Sequence, residues 1–357
     1  MINVVKPYLP CKEKYKKYID NIYASGWVTN NGPLVQELEM RLQSYLGVKN
    51  IVLVANGTVA LETAYRALEI KGEAITTPFS YVATTSSLAA NGIQPIYADI
   101  DPYSLNIAPN NIEKSITENS RAIVPVHVFG NACEVEEIER IASKNNLKVI
   151  YDAAHAFGVD YKGKSILNYG DISTLSFHAT KLFHTVEGGA LIINDDSLVQ
   201  KVRNLINFGI ESAVSIPSLG TNAKMNEFEA AMGLCVLDEI DIISTRRETI
   251  YNLYKEELGR VVNLQVQNKD GTSNYSYFPV MFKNEEEMFK VQGALNKSDI
   301  FPRRYFFPSL DTLNCVGKQG LMVHSRDVVS KILCLPIYPE LNLEDQKSII
   351  KIIKDVI

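Results

Sequence analysis

Short runs that are apolar at every position alternate along this chain with stretches that are apolar on one helical face only. Ile51-Val52-Leu53-Val54-Ala55 and Ala190-Leu191-Ile192-Ile193 have no polar alternate, the pattern of strands buried on both faces. Between such runs the period changes. Leu34, Val35, Leu38, Leu42, Tyr45 and Leu46 share one side of a helix over 34–46, which Gly47 ends, and an earlier helix over 13–25 stops at Ser25-Gly26. Leu61, Ala64, Tyr65 and Leu68 predict a helix over 59–68, directly after the tight turn Asn56-Gly57-Thr58. There follow a strand over 74–77, a helix from Tyr81 to about Asn91, strands over 94–98 and 121–126, a surface helix over 134–145, and a strand over 148–151 that runs into Asp152. This order predicts an α/β fold with a mainly parallel sheet covered by helices on both faces.

Beyond residue 255 the pattern becomes α+β. It predicts a strand over 275–282, a helix over 285–295, an extended stretch over 301–304, and a closing amphipathic helix over 343–356. That last helix carries Ile349, Ile350, Ile353 and Val356 on its apolar side and Asn342 as its N-cap. The expected organisation is a large domain over 1–245 and a smaller one over 246–357.

Composition narrows the functional classes. With 46% hydrophobic and 22% charged residues the chain can bury a large core, and a net charge of −5 without basic blocks suggests neither a nucleic-acid footprint nor a membrane-surface helix. The five cysteines contain no C-x-x-C pair, which fits reduced thiols rather than disulfides or a metal site. No apolar run reaches bilayer length and the first residues lack a leader's layout, so the expected location is the cytoplasm.

The densest chemistry lies over 176–190, SFHATKLFHTVEGGA. Lys181 stands among small, aromatic and hydroxyl residues just before a buried strand. Desolvation lowers the pKa of such an ammonium, and the neutral amine can form a Schiff base with an aldehyde such as that of pyridoxal phosphate; the plain alternative is a loop lysine that snorkels to solvent. That cofactor needs a phosphate cradle, an acid for its pyridine nitrogen, a flat group against its ring and a partner for its ring oxygen. Gly57 and Thr58 open a helix whose first amides point outward, as an anion site requires, although Asn56 or Thr58 could simply cap that helix. Asp152 ends a buried strand and suits a pyridinium, with a capping role as its alternative. Tyr81 and His155 follow strand ends, where an open α/β sheet forms its ligand crevice, and either could be plain packing. The chain has neither G-x-x-x-x-G-K-[ST] nor G-x-G-x-x-G, which removes support for nucleotide folds built on those loops.

Taken in order, NGTVAL (56–61), PFSYVAT (78–84), PVHVFG (125–130), YDAAHAFG (151–158), YKGK (161–164), GDISTLSFHATK (170–181), EGGALI (187–192) and GTNAKMNEFEAAMGL (220–234) resemble the DegT/DnrJ/StrS family of pyridoxal-phosphate-dependent sugar aminotransferases. The resemblance implies fold type I, with a mostly parallel seven-stranded sheet and a smaller α+β C-terminal domain. It implies Lys181 as the Schiff-base lysine, Asp152 as the pyridinium partner, Tyr81 against the ring and His155 at the phenolic oxygen. The phosphate would meet Gly57, Thr58 and Ser176. Asn222 would reach the phosphate of a neighbouring subunit, giving a homodimer with shared sites. Lys224 stands where an arginine is frequent, which changes the geometry of any contact to a diphosphate there.

FPRRYFFPSL (301–310) and ILCLPIYP (332–339) resemble the substrate-side edge of the small domain in enzymes acting on nucleotide-linked hexoses. Arg303 and Arg304 would suit a diphosphate, with surface solvation as their alternative. His178, in S-F-H-x-x-K rather than S-F-Y-P-x-K, resembles members that aminate C4, and the 301–310 segment resembles that of enzymes using dTDP-4-keto-6-deoxy-glucose for surface polysaccharide. The implied reaction is a ping-pong transfer from glutamate to the keto sugar. A 3-keto sugar nucleotide is the competing substrate. A dehydratase carrying histidine in place of the lysine is disfavoured by Lys181, and a non-catalytic binding protein by the presence of Lys181, Asp152 and Ser176 together.

Overall fold

The computed structural model describes residues 1–317 and 320–357. Its centre is a seven-stranded sheet: β1 (Ile51–Val54), β2 (Gly72–Thr76), β3 (Ile93–Tyr97), β4 (Ser120–Val124), β5 (Lys148–Asp152), β6 (Ile172–Ser176) and β7 (Gly189–Ile193). The spatial order is β1-β7-β6-β5-β4-β2-β3. All neighbouring pairs are parallel except those of β7, which runs antiparallel to both β1 and β6. Every residue of β1 and β7 is buried, as their unbroken apolar runs require. Side-chain alternation divides them between two cores: Ile51, Leu53, Ala190 and Ile192 enter one face, Val52, Val54, Leu191 and Ile193 the other.

The helices of this part are α1 (Lys12–Ser25), α2 (Pro33–Leu46), α3 (Gly57–Ala67), α4 (Ala83–Ala90), α5 (Pro109–Ser115), α6 (Val135–Asn145), α7 (Val199–Leu205) and α8 (Glu227–Leu237). Their ends follow the sequence signals: α1 and α2 stop at Gly26 and Gly47, both left-handed at φ 67° and 62°. Asn56 caps α3 by accepting from the Val59 amide at 2.9 Å. The N-terminus of α2 is held by Glu227, whose carboxylate accepts from the amides of Leu34 and Val35.

α9 (Ile240–Leu258) joins this body to a second layer. Its Ile240 and Ile243 lie in the main core, whereas Ile250, Tyr254 and Leu258 lie in a separate apolar cluster with α10 (Glu285–Lys297), α12 (Leu343–Val356) and the antiparallel strands β8 (Asn263–Leu264), β9 (Phe278–Met281) and β10 (Ile332–Leu335). α11 (Val323–Lys331) leads into β10. Asn342 caps α12 by accepting from the Asp345 amide at 2.8 Å, as its position predicts. The expected strand over 275–282 is shorter. Tyr275 is left-handed at φ 55°, which a strand cannot continue, and regular pairing begins only at Phe278. The extended stretch at 301–304 also differs: Ile300–Phe301 pairs in parallel with Ile2–Asn3, and Arg303 forms a single bridge to Cys334. Among the described residues no helix is long and apolar enough to cross a membrane.

Candidate active site

β1, β2, β5 and β6 deliver their following turns to the same edge of the sheet, and a cavity of about 270 Å³ lies over that edge. Gly57, Thr58, Tyr81, Asp152, His155, Ser176, His178, Lys181 and Arg303 all line it. The loop between β6 and β7 is fixed by aromatic burial: Phe177 and Phe183 meet edge to face at 4.8 Å, and Phe157 stacks on Phe183 at 4.7 Å. With those rings inside, Lys181 and His178 line the cavity.

The Lys181 amine lies 3.3 Å from the hydroxyl of Tyr277. Burial pulls its pKa from 10.5 to about 8, against the upward pull of Asp152 and Tyr81. Asp152 is buried at the end of β5, where Oδ2 accepts from the Thr84 hydroxyl at 2.7 Å and Oδ1 from the Ala154 amide at 3.1 Å. Burial raises its pKa, while those two hydrogen bonds and the Lys181 charge oppose the rise. His155 is held neutral by burial and by the nearby Lys181 charge, which push its pKa well down. Its Nδ1 accepts from the Phe129 amide at 3.2 Å, which assigns the ring proton to Nε2.

At the other end of the cavity the first turn of α3 meets Ser176. A Cβ on Gly57 would stand 2.9 Å from the Cβ of Ser176, so only glycine allows this approach. Gly189, paired with Ser176 across the sheet, is packed as closely: a Cβ there would lie 2.6 Å from the carbonyl carbon of Asn56. The Gly57 and Thr58 amides occupy the first helical turn, where backbone donors have no partner within the helix. A dehydrated amine, a buried carboxylate, a histidine donor and this helix end with a serine hydroxyl form a donor set that suits an aromatic aldehyde carrying a phosphate.

The sequence matches the DegT/DnrJ/EryC1/StrS aminotransferase family over residues 10–354. The chain belongs to this family. It is 42% identical to a dTDP-4-amino-4,6-dideoxy-D-glucose transaminase from Shigella dysenteriae, over 99% of both chains. Identity to the Escherichia coli protein of the same name is 40%, over 99% of this chain and 98% of that one. The crystal structure of DesI in the presence of its TDP-sugar product superposes with a TM-score of 0.94 at 30% identity, covering 99% of this chain and 92% of that one. The protein is accordingly a pyridoxal-phosphate-dependent sugar-nucleotide transaminase of the type I fold, with the mostly parallel seven-stranded sheet that the family resemblance implies.

Three expected site residues lie elsewhere. Arg304 does not reach the cavity: its guanidinium donates to the carbonyls of Val329 and Ser330 at the end of α11, pairs with Glu285 at 3.1 Å, and sits 3.8 Å from the ring centre of Phe307. Its Nη2 is thus engaged at a helix C-terminus, away from the cavity where a diphosphate ligand was expected. Asn222 and Lys224 are also absent from the cavity. Lys224 donates to Asn222 at 2.8 Å and to Asn207 at 3.0 Å, and it lines a second cavity of about 340 Å³ with Asn30, Asn31 and Arg203. Conversely, Thr84, Glu187, Tyr277, Tyr305 and Phe306 contribute to the site without having been singled out. Thr84 had a signal, one helical turn after Tyr81. Tyr277 had none, because it stands on irregular backbone far along the chain.

Proposed function

We propose that this transaminase moves an amino group from glutamate to C4 of dTDP-4-keto-6-deoxy-glucose, giving dTDP-4-amino-4,6-dideoxy-glucose for a surface polysaccharide such as O-antigen in the cytoplasm. The observation that carries the reading is the 42% and 40% identity, each across 99% of the chain, to two enzymes named for that product. When bound, pyridoxal phosphate supplies an aldehyde and an electron-withdrawing ring. Lys181 would hold it through Nζ, and Asp152, kept from water by burial, would carry its charge toward the ring nitrogen. His155 would donate its Nε2 proton to the phenolic oxygen, and Tyr81 would lie along the ring. Gly57, Thr58 and Ser176 would receive the phosphate at the start of α3, where unpaired amides favour an anion.

With a pKa near 8, the Lys181 amine is partly neutral at physiological pH. It can therefore take a proton from the α-carbon of the donor and return one on the way to product. His178 has Glu187 3.6 Å from Nε2 and Thr180 at 2.8 Å from Nδ1, so its ring is fixed at the cavity where a sugar hydroxyl would bind. Arg303 lines the cavity with its guanidinium 5.0 Å from the Tyr305 ring centre and would take the diphosphate. Asn222 and Lys224 would act in the cavity of a second copy in a homodimer. The exposure of the loop beside them supports that reading: Phe208, Ile216 and Leu219 are 51%, 66% and 85% exposed. A division into domains near residue 245 would pass through α9, between the residues that serve its two cores.

The test is incubation with glutamate and dTDP-4-keto-6-deoxy-glucose, followed by NMR of the product. An amine on C4 is expected. An amine at C3, or no reaction with any 4-keto sugar nucleotide, overturns the proposal.

A further inference from the structure

The hydroxyl nearest the lysine amine comes from the second layer, and it is held there by a buried arginine. Tyr277 is 9% exposed, its oxygen 3.3 Å from Lys181 Nζ and its ring 4.6 Å from that of His155. The backbone that carries it is irregular and would wander without support. Asn274 stitches one end to the main body, donating to the carbonyls of His155 and Phe157 at 2.8 and 3.0 Å while its oxygen accepts from the Ser276 amide. The other support is Arg247 of α9, 3% exposed, whose Nη1 donates to the carbonyls of Ser276 at 3.2 Å and Ile337 at 3.1 Å. Among the described residues no carboxylate lies within ion-pair distance of this guanidinium, Glu340 acting on it only from farther off, and its Nε has no hydrogen-bond partner. Burying a charge without a counter-ion is costly, and an apolar side chain of similar volume would fill the space without that cost. What the charge adds is a strong grip on the carbonyl immediately before Tyr277.

We propose that Tyr277 is a catalytic residue that holds the Lys181 amine at the cavity whenever that amine is free, and that Arg247 is the positioning residue that fixes Tyr277. The proposal rests on the transaminase reading above, in which Lys181 must leave the cofactor and come back to it. A phenol can do this for both forms of the amine. It accepts from the ammonium and donates to the neutral amine, so Nζ stays aimed during proton transfer. The other titratable groups facing the amine are Asp152, His155 and Tyr81; those facing the phenol are His155, Tyr305, Arg247, Arg303, Cys334 and Asp152.

The experiment uses the full chain stripped of cofactor, labelled with trinitrobenzenesulfonate across a pH series. Modification of Lys181 is read by peptide mass spectrometry. The wild-type midpoint is expected near pH 8. Tyr277→Phe keeps the ring but removes a partner whose charge-assisted bond to the ammonium is stronger than its bond to the neutral amine, so its midpoint should fall by about half to one pH unit. In the loaded enzyme its kcat should drop about tenfold with little change in KM for glutamate. Arg247→Lys keeps a buried cation but loses the planar fork, and should move the midpoint the same way by less. A folded Tyr277→Phe protein with the wild-type midpoint overturns the proposal. A wild-type midpoint in Arg247→Lys removes Arg247 from it. If the midpoints shift as expected but wild-type protein never turns over glutamate, the transaminase reading fails and the contact between Tyr277 and Lys181 stands.

Discussion

Substituting Gly57 by alanine sets helix stability against cofactor binding. The new Cβ would meet the Ser176 Cβ at 2.9 Å and its Cα at 3.3 Å, where ordinary carbon contacts lie at about 3.5 to 4 Å. One side must retreat by roughly 0.6 to 1 Å. Ser176 cannot, because it ends β6 in register with Gly189, which is itself packed on the backbone of Asn56. The first turn of α3 must therefore tilt away. Alanine gains up to about 1 kcal/mol of helix propensity there, and overpacking costs about 1 to 3 kcal/mol. Global stability should thus fall by no more than about 3 kcal/mol. The phosphate site has no such compensation. Losing one hydrogen bond to a charged phosphate costs about 1.5 to 3 kcal/mol, which corresponds to roughly ten- to hundredfold weaker binding. Titration of cofactor-free protein with pyridoxal phosphate, followed by visible absorbance, measures this directly. Pyridoxal lacking the phosphate should bind wild type and Gly57→Ala alike. A variant with wild-type affinity for pyridoxal phosphate would refute the placement of the phosphate at this turn.

Lys181→Ala should fold and lose all turnover, and mixing it with an inactive Asn222→Ala chain should restore part of the activity through hybrid dimers with one intact site; hybrids that form without activity would count against shared sites. The lowering of the Lys181 pKa by burial means the folded chain disfavours the ammonium, a penalty of roughly 3 kcal/mol that is fully present below pH 8 and fades as pH rises toward 10.5. Cofactor-free Lys181→Met should therefore be more stable than wild type at pH 7, and denaturant melts should show that advantage shrinking between pH 8 and 10.5; a constant difference would show that the amine is not dehydrated. Arg304→Met should lower stability by about 1.5 to 3 kcal/mol through the lost grip on the end of α11 while leaving the KM for nucleotide sugar unchanged, and Arg303→Met should do the reverse; steady-state kinetics with thermal melts separate the two.

The parts of this site that were legible in the sequence are those whose chemistry is local. Lys181, Asp152 and Gly57 each stand beside a strand whose unbroken apolar run marks it as buried, so their position at a sheet edge follows from one-dimensional pattern. Arg303 and Arg304 are the counter-example. Adjacent in sequence and alike in chemistry, they part because Arg303 opens to the cavity while Arg304 turns back to α11, a choice made by packing between segments distant in the chain. Tyr277 was illegible for the same reason, and its left-handed neighbour Tyr275 ended the strand that alternation alone had extended. α9 left no mark of its dual role either, because one apolar stripe serves two cores and periodicity does not say which.

The reversed direction of β7 has a consequence for when the amine is ready. A parallel successor to β6 would require a crossover that carries the chain to the opposite edge and back, taking residues 177–188 away from the cavity. Because β7 instead returns beside β6, the chain turns round at the carboxyl edge itself, closed by hydrogen bonds from the Phe177 amide to the Gly188 carbonyl and from the Ala179 amide to the Val186 carbonyl. Lys181 thus sits on a short-range hairpin whose closure costs little loop entropy. The backbone that carries the amine is closed by its own strand pairing, so capture of the aldehyde should be limited by encounter and dehydration rather than by ordering of the loop that presents it.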